Sequence, residues 1–190
     1  GKLVYGLGFD VNTWSPFVER WLSSGQLAAQ AFYDPLATFA ATGEVVPYLA
    51  EAIESNEDHT TFTITLRPDV RFHDGAPLDA AAVKLNLDTQ GAGTGSNLSP
   101  IDGVASVEVV DELTVAVHLT QPWASFPAHL TGQLGNQAGY MTSPMTIEAA
   151  NPDALPVGTG PFVATEWRRG VSIGGVRNPD YWQPGLPHLD

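Results

Sequence analysis

The clearest pattern along the chain is the alternation at Thr60–Leu66, where Phe62, Ile64 and Leu66 interleave with Thr61, Thr63 and Thr65. A period of two predicts a half-buried strand, pairing with Glu51–Ser55 across the polar turn Asn56-Glu57-Asp58. Tyr48–Ile53 fits either a short helix or an extended segment. Val104–Val110 and Leu113–Leu119 read as a hairpin about Asp111-Glu112, and Phe162–Arg168 with Val171–Val176 as another about Arg169-Gly170. Leu36–Ala40 and Glu44–Val46 flank a turn at Thr42-Gly43. At the start, Lys2–Phe9 alternates apolar residues with glycine and predicts a strand running into a loop at Asp10–Pro16.

Helical spacing appears at Gly25–Phe32, through Leu27, Ala28, Ala31 and Phe32, ending before Asp34-Pro35. Asp79 is a natural N-cap for a helix over Ala80–Thr89, its apolar face being Ala80, Val83, Leu85 and Leu87. Trp123–Thr131 and Pro144–Ala150 also read as helical, with Ser143 as the cap of the second. Asp74-Gly75 marks a tight turn braced by His73, and Gly91–Pro100 is a Gly/Ser/Asn loop. Hairpins mixed with scattered helices indicate an α+β fold with mixed sheets, not a regular βαβ array. No internal repeat or low-complexity tract appears.

Composition narrows the function classes. The 190 residues are 43% hydrophobic, enough for a core, and Asp+Glu outnumber Lys+Arg by 21 to 8, for a net charge of −13. Such a field repels nucleic acid and anionic membranes. With no cysteine, disulfide scaffolds, thiolate metal sites and thiol nucleophiles are excluded. No apolar run approaches the roughly 18 residues of a membrane span. The five histidines form no HxxxH or HxH pair, so no metal site is expected. The glycine run Gly91–Ser96 follows a helix and lacks GK[ST], so it is no phosphate loop. At Gly158-Thr159-Gly160-Pro161, proline removes an N–H that an anion cradle would use, and a tight chain crossing is expected instead. No GxSxG elbow is present, and the paired carboxylates sit in turns. Tyr181 and Trp182, in a proline-bounded turn, read as structural plugs, whereas Trp14, at a loop tip, is placed to face a cleft or the core.

Four stretches together resemble the family 5 extracellular solute-binding proteins, the oligopeptide, dipeptide and nickel-binding group. They are Asp34-Pro35-Leu36 through Val46-Pro47-Tyr48-Leu49-Ala50-Glu51; Thr61 through Leu78, with its Phe72-His73-Asp74-Gly75; Val107–Asp111 with Leu113-Thr114-Val115; and Gly158–Phe162 with Arg177-Asn178-Pro179-Asp180-Tyr181-Trp182. One departure is Ala80-Ala81-Ala82-Val83, where the family usually opens this helix with an acidic pair.

The resemblance implies the first lobe of a two-lobe, class II periplasmic-binding-protein-like fold. Residues 1–45 would begin subdomain Ia, 46–155 form subdomain Ib and 156–190 return into Ia, with lobe II absent and an apolar surface left open to self-association. It implies capture of a peptide or similar small solute for an ABC-type importer, with permease subunits as partners, outside the cytoplasm, and with no cofactor or catalysis. A sensory or chaperone-like binding module is the alternative, an enzyme on the same fold a more distant one. Solute contacts are expected from Phe9, Asp10, Asn12 and Trp14 after the first strand, from Ser96 and Asn97, and from Gln133, Asn136, Gln137 and Tyr140.

Overall fold

A computed structural model describes residues 1, 3–8, 10–21, 23–92, 101–133 and 137–189. In chain order the elements are α1 (Ser23–Ala29), β1 (Ala37–Phe39), β2 (Val45–Pro47), β3 (Ala50–Ser55), β4 (Thr61–Leu66), α2 (Ala80–Gly91), β5 (Val104–Asp111), β6 (Thr114–Leu119), a 3-10 turn (Phe126–Leu130), α3 (Pro144–Ala149), β7 (Phe162–Arg168) and β8 (Ser172–Arg177). The fold is α+β, and its sheets are β1-β2, β3-β4-β6-β5 and β7-β8.

Every pairing among these strands is antiparallel, where mixed sheets were expected. The strands are joined mostly by short turns, and a parallel pair needs a long crossover. The period of two on β4 does what it predicts: Phe62, Ile64 and Leu66 are buried and the threonines half-exposed. Across the strand, Phe62 faces Val117 and Ile64 faces Val115. Helix α2 covers this sheet with Val83 and Leu87, both buried. Each such side chain contributes about 1.5–3 kcal/mol. Asp79 caps α2 as expected, its Oδ1 accepting the Ala82 N–H at 2.8 Å. Leu85 lies only partly buried, and the helix instead buries Asn86, whose side chain exchanges hydrogen bonds of 2.8 Å with the Thr142 backbone.

The buried residues form two cores. The larger gathers the four-stranded sheet, α2, Leu36, Leu49, Phe126 and Met141. The smaller is mostly aromatic: Val11, Trp14, Trp21, Ala29, Phe32, Tyr33 and Tyr140, with Phe162, Trp167 and Ile173 of β7-β8 packed against it.

The signature stretches are the bolts between these cores. The His73 N–H donates to Gly158 O at 2.9 Å, and its Nε2–H donates to Gly160 O, also at 2.9 Å. The glycines are required by proximity, since a Cβ on Gly158 would stand 2.3 Å from Phe32 O and one on Gly160 2.5 Å from Phe32 C. The expected tight crossing is therefore present. Ser143 precedes α3 without capping it, because its hydroxyl donates to Asp74 Oδ2. Burial holds the His73 imidazole below its ordinary pKa, so it stays neutral.

Two further expectations fail. Trp123–Thr131 contains only a 3-10 turn over Phe126–Leu130. Residues 3–8 form no strand: no chain pairs with them, and Leu3, Val4 and Tyr5 are 67%, 80% and 67% exposed. Alternation alone cannot hold a strand without a partner ladder.

Candidate functional site

The segment Asp10–Gln26 and the segment after Leu130 converge on one edge of the aromatic core. Two glutamines fasten them. Gln137 Oε1 accepts the Trp21 N–H at 2.7 Å and its Nε2 donates to Glu19 O at 2.9 Å, while Gln26 Nε2 donates to Gly132 O at 3.0 Å. Glu19 in turn holds the loop, its carboxylate accepting the Asn12 N–H at 2.7 Å, the Thr13 N–H at 3.0 Å and the Asn12 side-chain amide at 3.0 Å.

The expected solute-contacting residues divide by burial. Asp10 and Asn12 are exposed on the loop, and Gln133 is half-buried, its amide 3.5 Å from Thr38 Oγ1. Asp10 accepts the Gly170 N–H of the β7-β8 turn. Trp14, Gln137 and Tyr140 point inward, at 2%, 3% and 1% exposed. The Trp14 ring centroid lies 5.9 Å from Trp21, 6.2 Å from Phe32 and 6.0 Å from Trp167, the last two edge-on. Tyr140 leans on Trp21 and Tyr33 at 6.0 and 5.9 Å. Trp14, expected to face a cleft or the core, packs in the core and also borders the cleft described below, while Tyr140 packs within the core. Phe9, Ser96, Asn97 and Asn136 lie outside the described residues.

Glu19 and Gln26 were missed by sequence reasoning. Neither belongs to a motif, and the only signal was polar side chains beside the Asp10–Pro16 loop. A cleft of about 830 Å³ runs between residues 3–8 and 10–11 and the β7-β8 hairpin, with Asp10, Trp14, Glu166 and Arg168 at its wall. Among the described residues, no group of three or more His, Asp or Glu side chains is arranged to hold a metal, and no helix is long and apolar enough to cross a membrane.

Residues 44–190 match the family described as bacterial extracellular solute-binding proteins, family 5 Middle. The chain belongs to this family. Among curated relatives, the glutathione-binding protein GsiB of Salmonella paratyphi A is 36% identical over 193 residues, a match covering 99% of the chain and 36% of the relative. Among solved structures, the binding protein AgaA of A. tumefaciens R10, in complex with agropinic acid, superposes with a TM-score of 0.82 at 31% identity, over 94% of this chain and 36% of AgaA. NikA of Brucella suis, in complex with Fe(III)-EDTA, gives 0.76 at 30% identity over the same shares. The chain thus spans about 36% of the length of the family 5 relatives it matches.

Proposed function

We propose that this chain supplies the first-lobe wall of a solute-capture cleft and that the whole protein delivers a peptide or similar small solute to an ABC-type importer outside the cytoplasm. The supporting observation is the convergence fastened by Gln137 and Gln26, which ties the loop carrying exposed Asp10 and Asn12 to the segment carrying half-buried Gln133, beside a packed aromatic core. Polar groups pre-positioned on a stiff support lower the ordering cost of binding. We assign residues 1–45 and 156–190 to subdomain Ia and 46–155 to subdomain Ib: most of the smaller core lies in the first set and most of the larger core in the second, with Leu36, Ala37 and Tyr140 crossing over. Family 5 proteins are solute-binding proteins, and the assignment as a non-catalytic binder follows that membership.

The proteins this chain resembles bind a glutathione, an agropinic acid and an iron chelate by their names, all small polar solutes. Solute capture by closure draws on contacts from both sides of the cleft. Calorimetric titration of the whole protein and of the 190-residue chain with glutathione and a dipeptide panel tests this. The whole protein should bind one of these at about micromolar Kd, near −8 kcal/mol, and the chain alone no tighter than about millimolar, near −4 kcal/mol. Equal affinities would overturn the shared-cleft account, and no binding of any small polar solute by the whole protein would overturn solute capture.

A further inference from the structure

A groove of about 430 Å³ lies between residues 3–7, helix α1 and strand β8. Leu3, Tyr5, Leu7, Leu27, Ile173 and Leu189 are among the residues that line it, and no Asp, Glu, Lys, Arg or His does. Much of this lining is open to water. Leu27 is 47% exposed, Leu7 and Leu189 are each 39% exposed, and Leu3 and Tyr5 are more exposed still. An apolar surface left open in this way marks a place where another element packs.

The backbone beside the groove is equally incomplete. Among the described residues, no backbone hydrogen bond reaches residues 3–8, and β8 pairs with β7 alone, in a sheet of two strands. Two strands by themselves are marginal in water. Leu3, Tyr5 and Leu7 line the groove while Val4 and Gly6 do not, which is the alternation of a strand with one face turned to the groove. An added strand meets both needs: its main chain bonds to the open edge, and every second side chain fills the hollow.

The relatives point to where that strand comes from. The chain matches 36% of GsiB and 36% of AgaA, so 64% of each lies outside the match. In a whole protein of that length, a segment outside these 190 residues is tethered to every groove, at an effective concentration of about millimolar. A second copy fits less well. Two copies related by a two-fold axis set the same patch against itself, a hollow facing a hollow, and each carries a net charge of −13 that opposes their approach. We propose that the groove is the seat of a strand from elsewhere in the whole protein, which pairs along residues 3–8 and lays alternate apolar side chains against Leu3, Tyr5, Leu7 and Leu27. This docking is independent of solute capture.

Hydrogen exchange on the whole protein, without solute, tests the proposal and needs no substitution. The amides of residues 4–8 should exchange at least about 100-fold slower than those of an unstructured chain. Tyr5→p-benzoylphenylalanine should, on irradiation, crosslink to a peptide of the same molecule outside residues 1–190. Leu27→Cys should react with a maleimide at least about tenfold slower than Val110→Cys, whose parent side chain is 57% exposed on β5. Exchange of residues 4–8 at the unprotected rate would overturn the proposal. So would equal labelling of the two cysteine variants, or a crosslink confined to residues 1–190. Protection that disappears on dilution from about 50 to about 0.5 µM, or a crosslinked dimer, would make a second copy the occupant and overturn it as well.

Discussion

Asp34 is a carboxylate whose titration the fold shifts strongly upward. It opens the Asp34-Pro35-Leu36 stretch and is 3% exposed. Its Oδ2 accepts the Trp182 indole N–H at 2.7 Å and its Oδ1 faces the Tyr181 hydroxyl at 3.4 Å. The nearby cation, Arg67, is engaged elsewhere: its Nε donates to Tyr48 O at 2.6 Å and its guanidinium stacks 5.4 Å above the Trp182 ring. A carboxylate removed from water without a cationic partner is easier to protonate. Burial accordingly lifts Asp34 from 3.8 to about 7, against the lowering effect of the two hydrogen bonds.

The linkage follows from that direction. Below about pH 4 Asp34 is protonated both folded and unfolded, and it adds no pH dependence. Between about pH 4 and 7 the folded chain keeps its proton while the unfolded chain has lost it, so stability falls as pH rises. Above about pH 7 both states are ionised and the loss is complete. At roughly 1.4 kcal/mol per pKa step, the loss reaches about 4 kcal/mol. Tyr48 and Tyr181 beside it have pKa values raised by burial above the phenol range, so they stay neutral throughout. The neutral His73 runs the opposite way, adding stability as pH rises, which is why the measurement must be a difference. Urea unfolding of wild type and Asp34→Asn at pH 4.5, 6, 7 and 8, followed by tryptophan fluorescence, isolates the carboxylate. The stability of Asp34→Asn relative to wild type should climb by several kcal/mol from the lowest pH to the highest. A difference flat within about 0.5 kcal/mol would refute the reasoning, because it would mean that Asp34 titrates in the fold as it does in the unfolded chain.

Gly158→Ala should lower stability by about 2–4 kcal/mol, since its methyl group meets the Phe32 carbonyl at 2.3 Å and the two cores must move apart. Chemical denaturation checks this against Gly43→Ala, a positive-φ glycine with open space around it, which should cost about 1 kcal/mol. Gln137→Leu leaves the buried Trp21 N–H unmatched, for a loss of about 1–3 kcal/mol. Hydrogen exchange should show faster opening at Trp21, with the exchange of β4 unchanged.

Which parts of this structure could be read from the sequence depends on how far apart the interacting residues lie. Thr61–Leu66, Asp79 before Ala80, and the turns at Gly43 and Gly75 announce themselves, because period, cap and positive φ are decided within a few residues. The His73-Asp74-Gly75 and Gly158-Thr159-Gly160 stretches were legible as landmarks, and the crossing at Gly158–Gly160 was expected. That His73 donates to the Gly160 carbonyl, and that Phe32 forbids a side chain there, required the fold. Residues 3–8 show the opposite failure, a strand pattern with no partner strand to satisfy it.

The expected solute-contacting residues show why a site is harder to read than a sheet. A glutamine that binds a solute and a glutamine that binds its own backbone meet the same sequence requirement, a polar side chain in a loop between apolar segments. Gln137 satisfies it and turns inward, because Trp21, 116 positions earlier, brings an N–H to 2.7 Å from its amide oxygen. Trp14 and Tyr140 follow it inward through their contacts with Trp21. Asp10 and Asn12 stay exposed and Gln133 half-buried. The inward turn of Gln137 also ties Glu19 and Trp21 to the chain beyond Gln133. Loss of Gln137 should therefore loosen the placement of Asn12 through Glu19 without removing an exposed side chain.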